Sequence, residues 1–372
     1  MVDQRLNTTD ELRARLRAFL GIGDLTMPVS PRVDEEVRED GFVRKSVSYE
    51  VAGERIPAFL LEPVNQRREV AVVALHQHNS QWHIGKSEVA GLRGDALQAF
   101  GPELARAGVA VLAPDALGFE SRCRLPEGQA GPSFAMRARR AEQENARVSF
   151  APPPKDETIG ERVIRGLSLV KSKLTRHLPI ERGNTREEWV QYYNHAMHRL
   201  VRGELLMRRF VEDTAAAVSA LRVLSGAPCV GLLGHSFGGN VALFAGALDE
   251  RVAFTVSSGA ACSYRHKLGH GVGLEMGLVI PGFANVFDLD DVMRCIAPRR
   301  LFVVSSDSDP LSADAEDLVA RVRPAFALDG EGSGDSRDEL LSHLRVAGTH
   351  ALDEQRFQAI VDWVLAQAAS SR

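Results

Sequence analysis

The stretch CVGLLGHSFGGNVALFAGAL, residues 229–248, contains the most specific structural signal in this chain. An apolar run, CVGLL, leads into a serine flanked by glycines, and a helix-forming segment follows at once. A serine on such a tight strand-to-helix turn adopts a strained backbone, and the flanking glycines leave room for neighbouring segments. The Ser236 hydroxyl then projects above a sheet, and the Phe237 N–H points from the helix N-terminus at a developing oxyanion. The stretch predicts a nucleophilic serine.

A nucleophilic serine needs a general base and an orienting acid, which follow such an elbow in the order acid, then histidine. His350 comes directly after the last predicted strand, SHLRVAG. The strand before it, RLFVVSS, leads into SSDSDP, which offers Asp307 and Asp309. Pro310 restricts Asp309 to extended backbone, which suits a side chain aimed across the sheet edge. We therefore predict Asp309 as the acid, with Asp307 as the alternative.

Strand and helix patterns alternate through most of the chain. A helix is expected at about residues 9–20, and a β-hairpin is expected around Ala52-Gly53-Glu54. Continuous apolar strands such as EVAVVALH and VAVLAPDALG are typical of strands buried on both faces. A loop-rich stretch is expected between the strand VAFTVSSG and about Ala297. The pattern predicts an α/β fold with a mostly parallel central sheet and helices on both faces.

The segment from about residue 120 to residue 202 breaks this alternation. It shows no clear strand signal, and prolines separate charged amphipathic stretches. An unstructured loop of this length is uncommon. We therefore expect a helical cap insertion at residues 123–203, and a core formed by residues 1–122 and 204–372.

The composition is that of an ordinary globular protein. Of 372 residues, 44% are hydrophobic and 25% are charged, which allows a sizeable core. The formal charge of −4 gives no reason to expect nucleic-acid or membrane binding. The N-terminus lacks the pattern of a signal peptide, and no apolar segment approaches about 18 residues. We expect a cytoplasmic protein without a membrane partner.

Four widely spaced cysteines form no C-x-x-C pattern, which argues against a structural zinc site and a disulfide framework.

The stretch ALHQHNSQWHIGK contains three histidines within eight residues: His76, His78 and His83. With Asp115 at a neighbouring strand end, His76 and His78 could begin a metal site. Alternatively, the loop supplies the second oxyanion donor as the backbone N–H of Gln77 or His78. We prefer the second interpretation, in which no metal is involved.

Several motifs together resemble the α/β-hydrolase superfamily, and within it the dienelactone-hydrolase-like and acetyl-xylan-esterase-like branch. They are LHQHN, GKSE, APDALGFESR, LLGHSFGGN, IAPRRLFVVSSDSDP and AGTH, spread over most of the chain. The resemblance implies a triad of Ser236, His350 and Asp309 and an acyl-serine intermediate. The chain departs from dienelactone hydrolases proper in its serine nucleophile, where those enzymes carry a cysteine.

These observations predict a cofactor-independent serine hydrolase that cleaves an ester or lactone of a small-molecule acyl substrate. Several alternatives stay open. The same triad cleaves thioesters, amides or carbon–carbon bonds in other proteins, or transfers the acyl group to an alcohol. A metal-dependent hydrolase built on His76 and His78 and a non-catalytic binding protein are further alternatives. The sequence also leaves a homodimer open.

Overall fold

The computed structural model describes residues 8–64, 69–123, 185–327 and 340–370. Nine strands in this part of the chain form one sheet. In chain order, β1 to β9 are Arg32–Arg38, Phe42–Val51, Glu54–Pro63, Val70–Leu75, Ala110–Pro114, Cys229–His235, Val252–Ser258, Arg300–Ser306 and Leu341–Val346. Their order across the sheet is β1-β2-β3-β5-β4-β6-β7-β8-β9. The first three strands run antiparallel to their neighbours. The other six strands, β4 to β9, are all parallel to one another, with β4 between β5 and β6. The predicted sheet is thereby confirmed.

Ten α-helices accompany the sheet in the described ranges. In chain order, α1 to α10 are Thr9–Leu20, Lys86–Val89, Phe100–Arg106, Thr185–Val201, Leu206–Ser225, Phe237–Leu248, Tyr264–His270, Leu289–Arg294, Ala315–Val322 and Glu354–Ser370. Short 3-10 turns lie at Ala96–Gln98, Glu120–Arg122, Met276–Leu278, Phe283–Asn285, Pro310–Ser312 and Arg323–Ala327. Within the described ranges, no helix is both long and apolar enough to cross a membrane.

The first helix and the hairpin are formed as expected. Thr8 caps α1, where its hydroxyl accepts from the Glu11 N–H and the Glu11 carboxylate accepts from the Thr8 N–H. This capping box satisfies two helix N–H groups. The hairpin turns at Ala52 and Gly53, both with positive φ, and β2 and β3 pair in antiparallel register on either side.

Two hydrophobic clusters cover the two faces of the sheet. One contains side chains from α1, α5, α6, α8 and α9, and the other contains side chains from α3 and α10. Buried parallel strands require apolar cover on both faces, which explains their continuous apolar sequences. The predicted three-layer arrangement is confirmed.

The predicted cap insertion falls mostly outside the described residues, which lack 124–184. Its described part is α4, with Tyr192 and Ala196 buried against the main body. The cap at residues 123–203 therefore stays a prediction. The expected loop-rich stretch before Ala297 contains α7 and α8, two helices of seven and six residues that are too short for a clear periodic signal.

The strand register brings five strand ends to one edge. Leu75 pairs with Gly234, His235 pairs with Ser258, and farther along the sheet Ser306 pairs with Val346. The chain leaves β4 towards one face and β6 towards the other, since α3 and α6 belong to different clusters. A crevice opens where neighbouring strands are continued on opposite faces. The candidate site lies at this point.

Candidate active site

Ser236 lies between β6 and α6 in a strained conformation. Its φ of +56° and ψ of −119° fall in a region that non-glycine residues rarely adopt. The Ser236 N–H donates to the Ser258 carbonyl at 2.8 Å, and the Ser236 carbonyl accepts from the Asn240 N–H at 3.0 Å. Both neighbouring elements therefore hold the serine in this conformation, as the elbow motif predicts.

The glycines on either side of Ser236 are required by close backbone contacts. A Cβ on Gly234 would lie 2.2 Å from the Gly238 carbonyl, and a Cβ on Gly238 would lie 2.2 Å from the Leu75 carbonyl oxygen. Backbone atoms cannot move aside as a flexible side chain can. The prediction that the glycines leave room for neighbouring segments is confirmed, and the first turn of α6 packs against the end of β4.

The structure brings Ser236, His350 and Asp309 together. His350 Nε2 lies 2.8 Å from Ser236 Oγ, and His350 Nδ1 lies 3.1 Å from Asp309 Oδ1. Since a carboxylate only accepts, Nδ1 carries the proton and Nε2 accepts from the serine hydroxyl. This is the tautomer that a general base for Ser236 requires.

Asp309 is buried, and its carboxylate accepts three hydrogen bonds. Besides His350, it accepts from the Leu311 N–H at 2.9 Å and from the Ser312 hydroxyl at 2.8 Å. Burial by itself raises the pKa of Asp309, but the hydrogen bonds and the neighbouring His350 hold that pKa below its usual value. Asp309 is therefore ionised at neutral pH and orients the imidazole.

Asp307, the alternative acid, has a different position. It is exposed, and its Oδ1 accepts from the Gly348 N–H and the Ser308 hydroxyl, both at 3.0 Å. These hydrogen bonds lower the pKa of Asp307. Asp307 therefore stabilises the loop before His350 through its hydrogen bond from Gly348, and it does not contact the imidazole.

His76 is a buried histidine that uses both ring nitrogens. Its Nδ1 lies 2.8 Å from the Gln77 carbonyl, and its Nε2 accepts from the Ala116 N–H at 3.2 Å. Burial lowers the pKa of His76 to about 4. Asp115, the other candidate ligand, accepts from the Lys86 ammonium at 2.7 Å. Among the described residues, no three His, Cys, Asp or Glu side chains are arranged to hold a metal.

Gln77 and His78 have different roles in the loop after β4. The Gln77 side chain is buried and donates to Glu88 at 3.0 Å, so Gln77 offers the site its backbone alone. His78 Nδ1 accepts from the Ser80 N–H at 3.0 Å, and burial lowers the pKa of His78 to about 4. His78 is therefore neutral with its proton on Nε2. Its ring lies against Trp82 and lines the same cleft as Ser236.

A cleft of about 420 Å³ opens over the serine. It combines aliphatic and aromatic surface with several polar groups, the mixture found in small-molecule sites. Its lining residues are His78, Asn79, Ser80, Tyr192, Ser236, Phe237, Asn240, Lys267, Gly273, Leu274, Glu275, Met276, Leu278, Leu311 and His350.

One wall of the cleft links α4 to the segment after α7. The Tyr192 hydroxyl donates to Glu275, whose second oxygen accepts from the Gly277 N–H at 2.8 Å. Burial raises the pKa of Glu275 to about 7. No local motif in the sequence marks Tyr192, Asn240, Lys267 or Glu275 as site residues, so these four were not predicted.

Comparisons with known proteins rest on structure. No protein-family model matches the chain, and no curated protein matches its sequence. A candidate acetyl xylan esterase from Bacteroides fragilis aligns with 98% of this chain and 90% of its own at 12% identity, with a TM-score of 0.63. A glucuronoyl esterase from Solibacter usitatus aligns with 97% of this chain and 94% of its own at 15% identity, with a TM-score of 0.59. The chain has the α/β-hydrolase fold.

A third structure extends the comparison. A promiscuous CE15 esterase from a marine bacterial metagenome aligns with 98% of this chain and 94% of its own, at 13% identity and a TM-score of 0.55. At such identities the likeness concerns the α/β-hydrolase fold alone. The chemistry has to be argued from this chain's own site.

Proposed function

We propose that this chain is a serine hydrolase that cleaves a carboxylic ester or lactone through an acyl-serine intermediate. The observation that carries the proposal is the hydrogen-bonded chain from Ser236 Oγ through His350 to Asp309, placed at a strained elbow under a cleft. The three aligned structures are described as esterases or a candidate esterase, which agrees with this reaction class.

The first half-reaction follows from the tautomer of His350. As the Ser236 hydroxyl attacks the acyl carbonyl, Nε2 removes its proton, and buried Asp309 stabilises the imidazolium that forms. The imidazolium then protonates the leaving alcohol. Water enters, loses a proton to the same nitrogen and attacks the acyl-serine, which releases the acid and restores the hydroxyl.

Oxyanion stabilisation is assigned to two backbone N–H groups. Phe237 is the first residue of α6, and the N–H groups of a first helical turn have no partner within the helix. The second donor is the N–H of Gln77 or His78, because Gly238 packs directly against the strand end that precedes them. Loss of one such donor typically costs about 3 kcal/mol of transition-state stabilisation.

A fluorophosphonate probe with mass spectrometry tests the proposal. We expect covalent labelling of Ser236 in the wild-type protein, no labelling of Ser236→Ala, and hydrolysis of p-nitrophenyl acetate that a chelator leaves unchanged. Ser308→Ala serves as the control, since Ser308 lies on an exposed loop at the same sheet edge. Folded wild-type protein that is not labelled, or activity that Ser236→Ala retains, contradicts the mechanism.

A further inference from the structure

Lys267 is a buried cation in the wall of the cleft. It lies on α7, which begins after Ser263, and its exposed fraction is 2%. The same cleft contains Ser236 and His350. Lysine is almost never buried to this extent unless its ammonium is paired.

The Lys267 ammonium has no such partner among the described residues, where it makes neither a hydrogen bond nor an ion pair. The carboxylates at the start of α7 bind other donors: Asp314 accepts from Ser263, and Asp288 accepts from the N–H groups of Tyr264 and Leu289. Because the side chain is otherwise enclosed, the ammonium can reach an acceptor only through the cleft that Lys267 lines. Its acceptor is therefore expected to arrive with a ligand.

A second polar group in the cleft also lacks a partner. Asn240 is buried in the first turn of α6, four residues after the nucleophile, and its Oδ1 has no donor among the described residues. Buried amide oxygens are usually hydrogen-bonded. Glu275 differs from both groups, since Tyr192 and Gly277 already donate to it. Lys267 and Asn240 thus both line the cleft that contains the serine.

We propose that Lys267 binds a carboxylate of the substrate, so that the ester cleaved at Ser236 belongs to a molecule with a free carboxylate near the scissile bond. This inference rests on the proposed function. Lys267 is the one permanently charged cation among the described lining residues, which matches a singly charged carboxylate better than a phosphate of nearly two charges.

Two pairs of esters test the inference and distinguish the two sides of the scissile bond. Monomethyl adipate is compared with its neutral amide, methyl 5-carbamoylpentanoate, and 4-acetoxybenzoate is compared with 4-acetoxybenzamide. The first pair carries the carboxylate on the acyl part, and the second carries it on the alcohol part. We expect wild-type kcat/KM to favour the carboxylate in at least one pair by about 10- to 100-fold, the range of a hydrogen bond to a charged group.

The variants are Lys267→Met and, as a matched control, Arg265→Met. Arg265 lies on the same helix and has a side chain that is 73% exposed, so its loss removes the same charge without changing the cleft. We expect Lys267→Met to abolish the preference by slowing hydrolysis of the anionic ester, while the neutral ester stays within about twofold. Arg265→Met should keep the preference. An equal loss on both esters, or a wild-type protein without preference in either pair, overturns the inference.

Binding separates this inference from the proposed function. Calorimetry with the Ser236→Ala variant measures binding of adipate and 4-hydroxybenzoate without turnover. The same measurement on a double variant, Ser236→Ala with Lys267→Met, shows how far this binding depends on Lys267. If no ester is hydrolysed but a carboxylate binds in a Lys267-dependent manner, the proposed function fails and carboxylate recognition stands. If esters are hydrolysed but neither carboxylate depends on Lys267 for binding, carboxylate recognition fails alone.

Discussion

Two networks of ionisable groups lie at the same edge of the sheet, one around Lys86 and the other around His350. The Lys86 ammonium binds Asp115 at 2.7 Å, Glu120 at 2.6 Å and the Ser121 hydroxyl at 2.7 Å. The second oxygen of Glu120 accepts from the N–H groups of Gly85 and Ser87. Every charge in this network is paired within the protein.

The His350 network differs in how it ends. Asp309 accepts three hydrogen bonds, as Asp115 does. The hydrogen bonds of Asp309, however, lead through the imidazole to the Ser236 hydroxyl, which borders the cleft. Burial and perturbed pKa values occur in both networks. Burial and a shifted pKa therefore do not identify a reactive site by themselves. A reactive site also needs a group with remaining hydrogen-bonding capacity at a cavity.

The largest expected effect is on kcat and comes from a change at the Ser236 hydroxyl, where the His350 network meets the cleft. Ser236→Ala removes the nucleophile, so we expect kcat for an ester to fall on the order of 10⁶-fold. The free energy of unfolding should change by less than about 1 kcal/mol, because alanine has the same backbone constraints. Steady-state kinetics and urea unfolding measure both quantities. A variant with appreciable activity would show that the network is structural, like that of Lys86.

The next effect separates the two acids. Asp309→Asn removes the charge that orients the imidazole, and we expect kcat to fall on the order of 10⁴-fold. Asp307→Asn is the matched control two residues away, with an expected loss of a few-fold at most from loosening of the loop before His350. The two kcat values, measured on one ester, decide the assignment. A larger loss in Asp307→Asn makes it wrong.

Changes in the Lys86 network should lower the free energy of unfolding and leave the catalytic activity nearly unchanged. Lys86→Met leaves the buried Asp115 and the half-buried Glu120 without their cation, which typically costs about 3–5 kcal/mol of unfolding free energy. Lys45→Met is the control, because Lys45 also pairs with two carboxylates but is more exposed, so we expect a loss of about 1 kcal/mol or less.

Urea unfolding measures these losses, and active-site titration with the fluorophosphonate gives activity per folded molecule. We expect Lys86→Met to retain activity within a few-fold. A loss of activity as large as that of Asp309→Asn would contradict the separation of the two networks.

The smallest effect concerns Glu88, which lies behind the loop of Gln77. Burial raises the pKa of Glu88 to about 7, so the folded protein holds a proton that the unfolded chain releases near pH 4.5. Stability from this group is full below about pH 4.5 and is lost as pH rises through 7. Glu88→Gln removes this loss. We therefore expect it to be more stable than wild type at pH 8 by up to about 3 kcal/mol, and about equally stable at pH 4.5.

Urea unfolding at the two pH values measures the difference. A wild-type minus Glu88→Gln difference that does not change with pH would show that the pKa of Glu88 is not raised in the folded protein. Glu88 would then be ionised at neutral pH, as Glu120 of the Lys86 network is, where Lys86 lowers the pKa of the carboxyl.

Strong local signals made most of the sheet predictable. Long apolar runs correspond to β4 to β8, and the turn at Ala52 and Gly53 corresponds to the hairpin. The strand Arg32–Arg38 escaped prediction because its sequence, RVDEEVR, is mostly charged. It forms an exposed sheet edge, where charged residues prevent pairing with other chains and no buried face imposes alternation.

The elbow, the parallel sheet and the placement of Ser236 and His350 at one edge were all predictable from the amino-acid sequence. These depend on local periodicity, on glycines in tight turns, and on the rule that parallel strands end together. Three other properties became visible only in the folded protein: which aspartate contacts His350, that backbone groups bind both ring nitrogens of His76, and that Lys267 lines the cleft. The physical reason is that these properties depend on distances and hydrogen-bond partners between residues far apart in the chain, and such distances are set only when the elements pack.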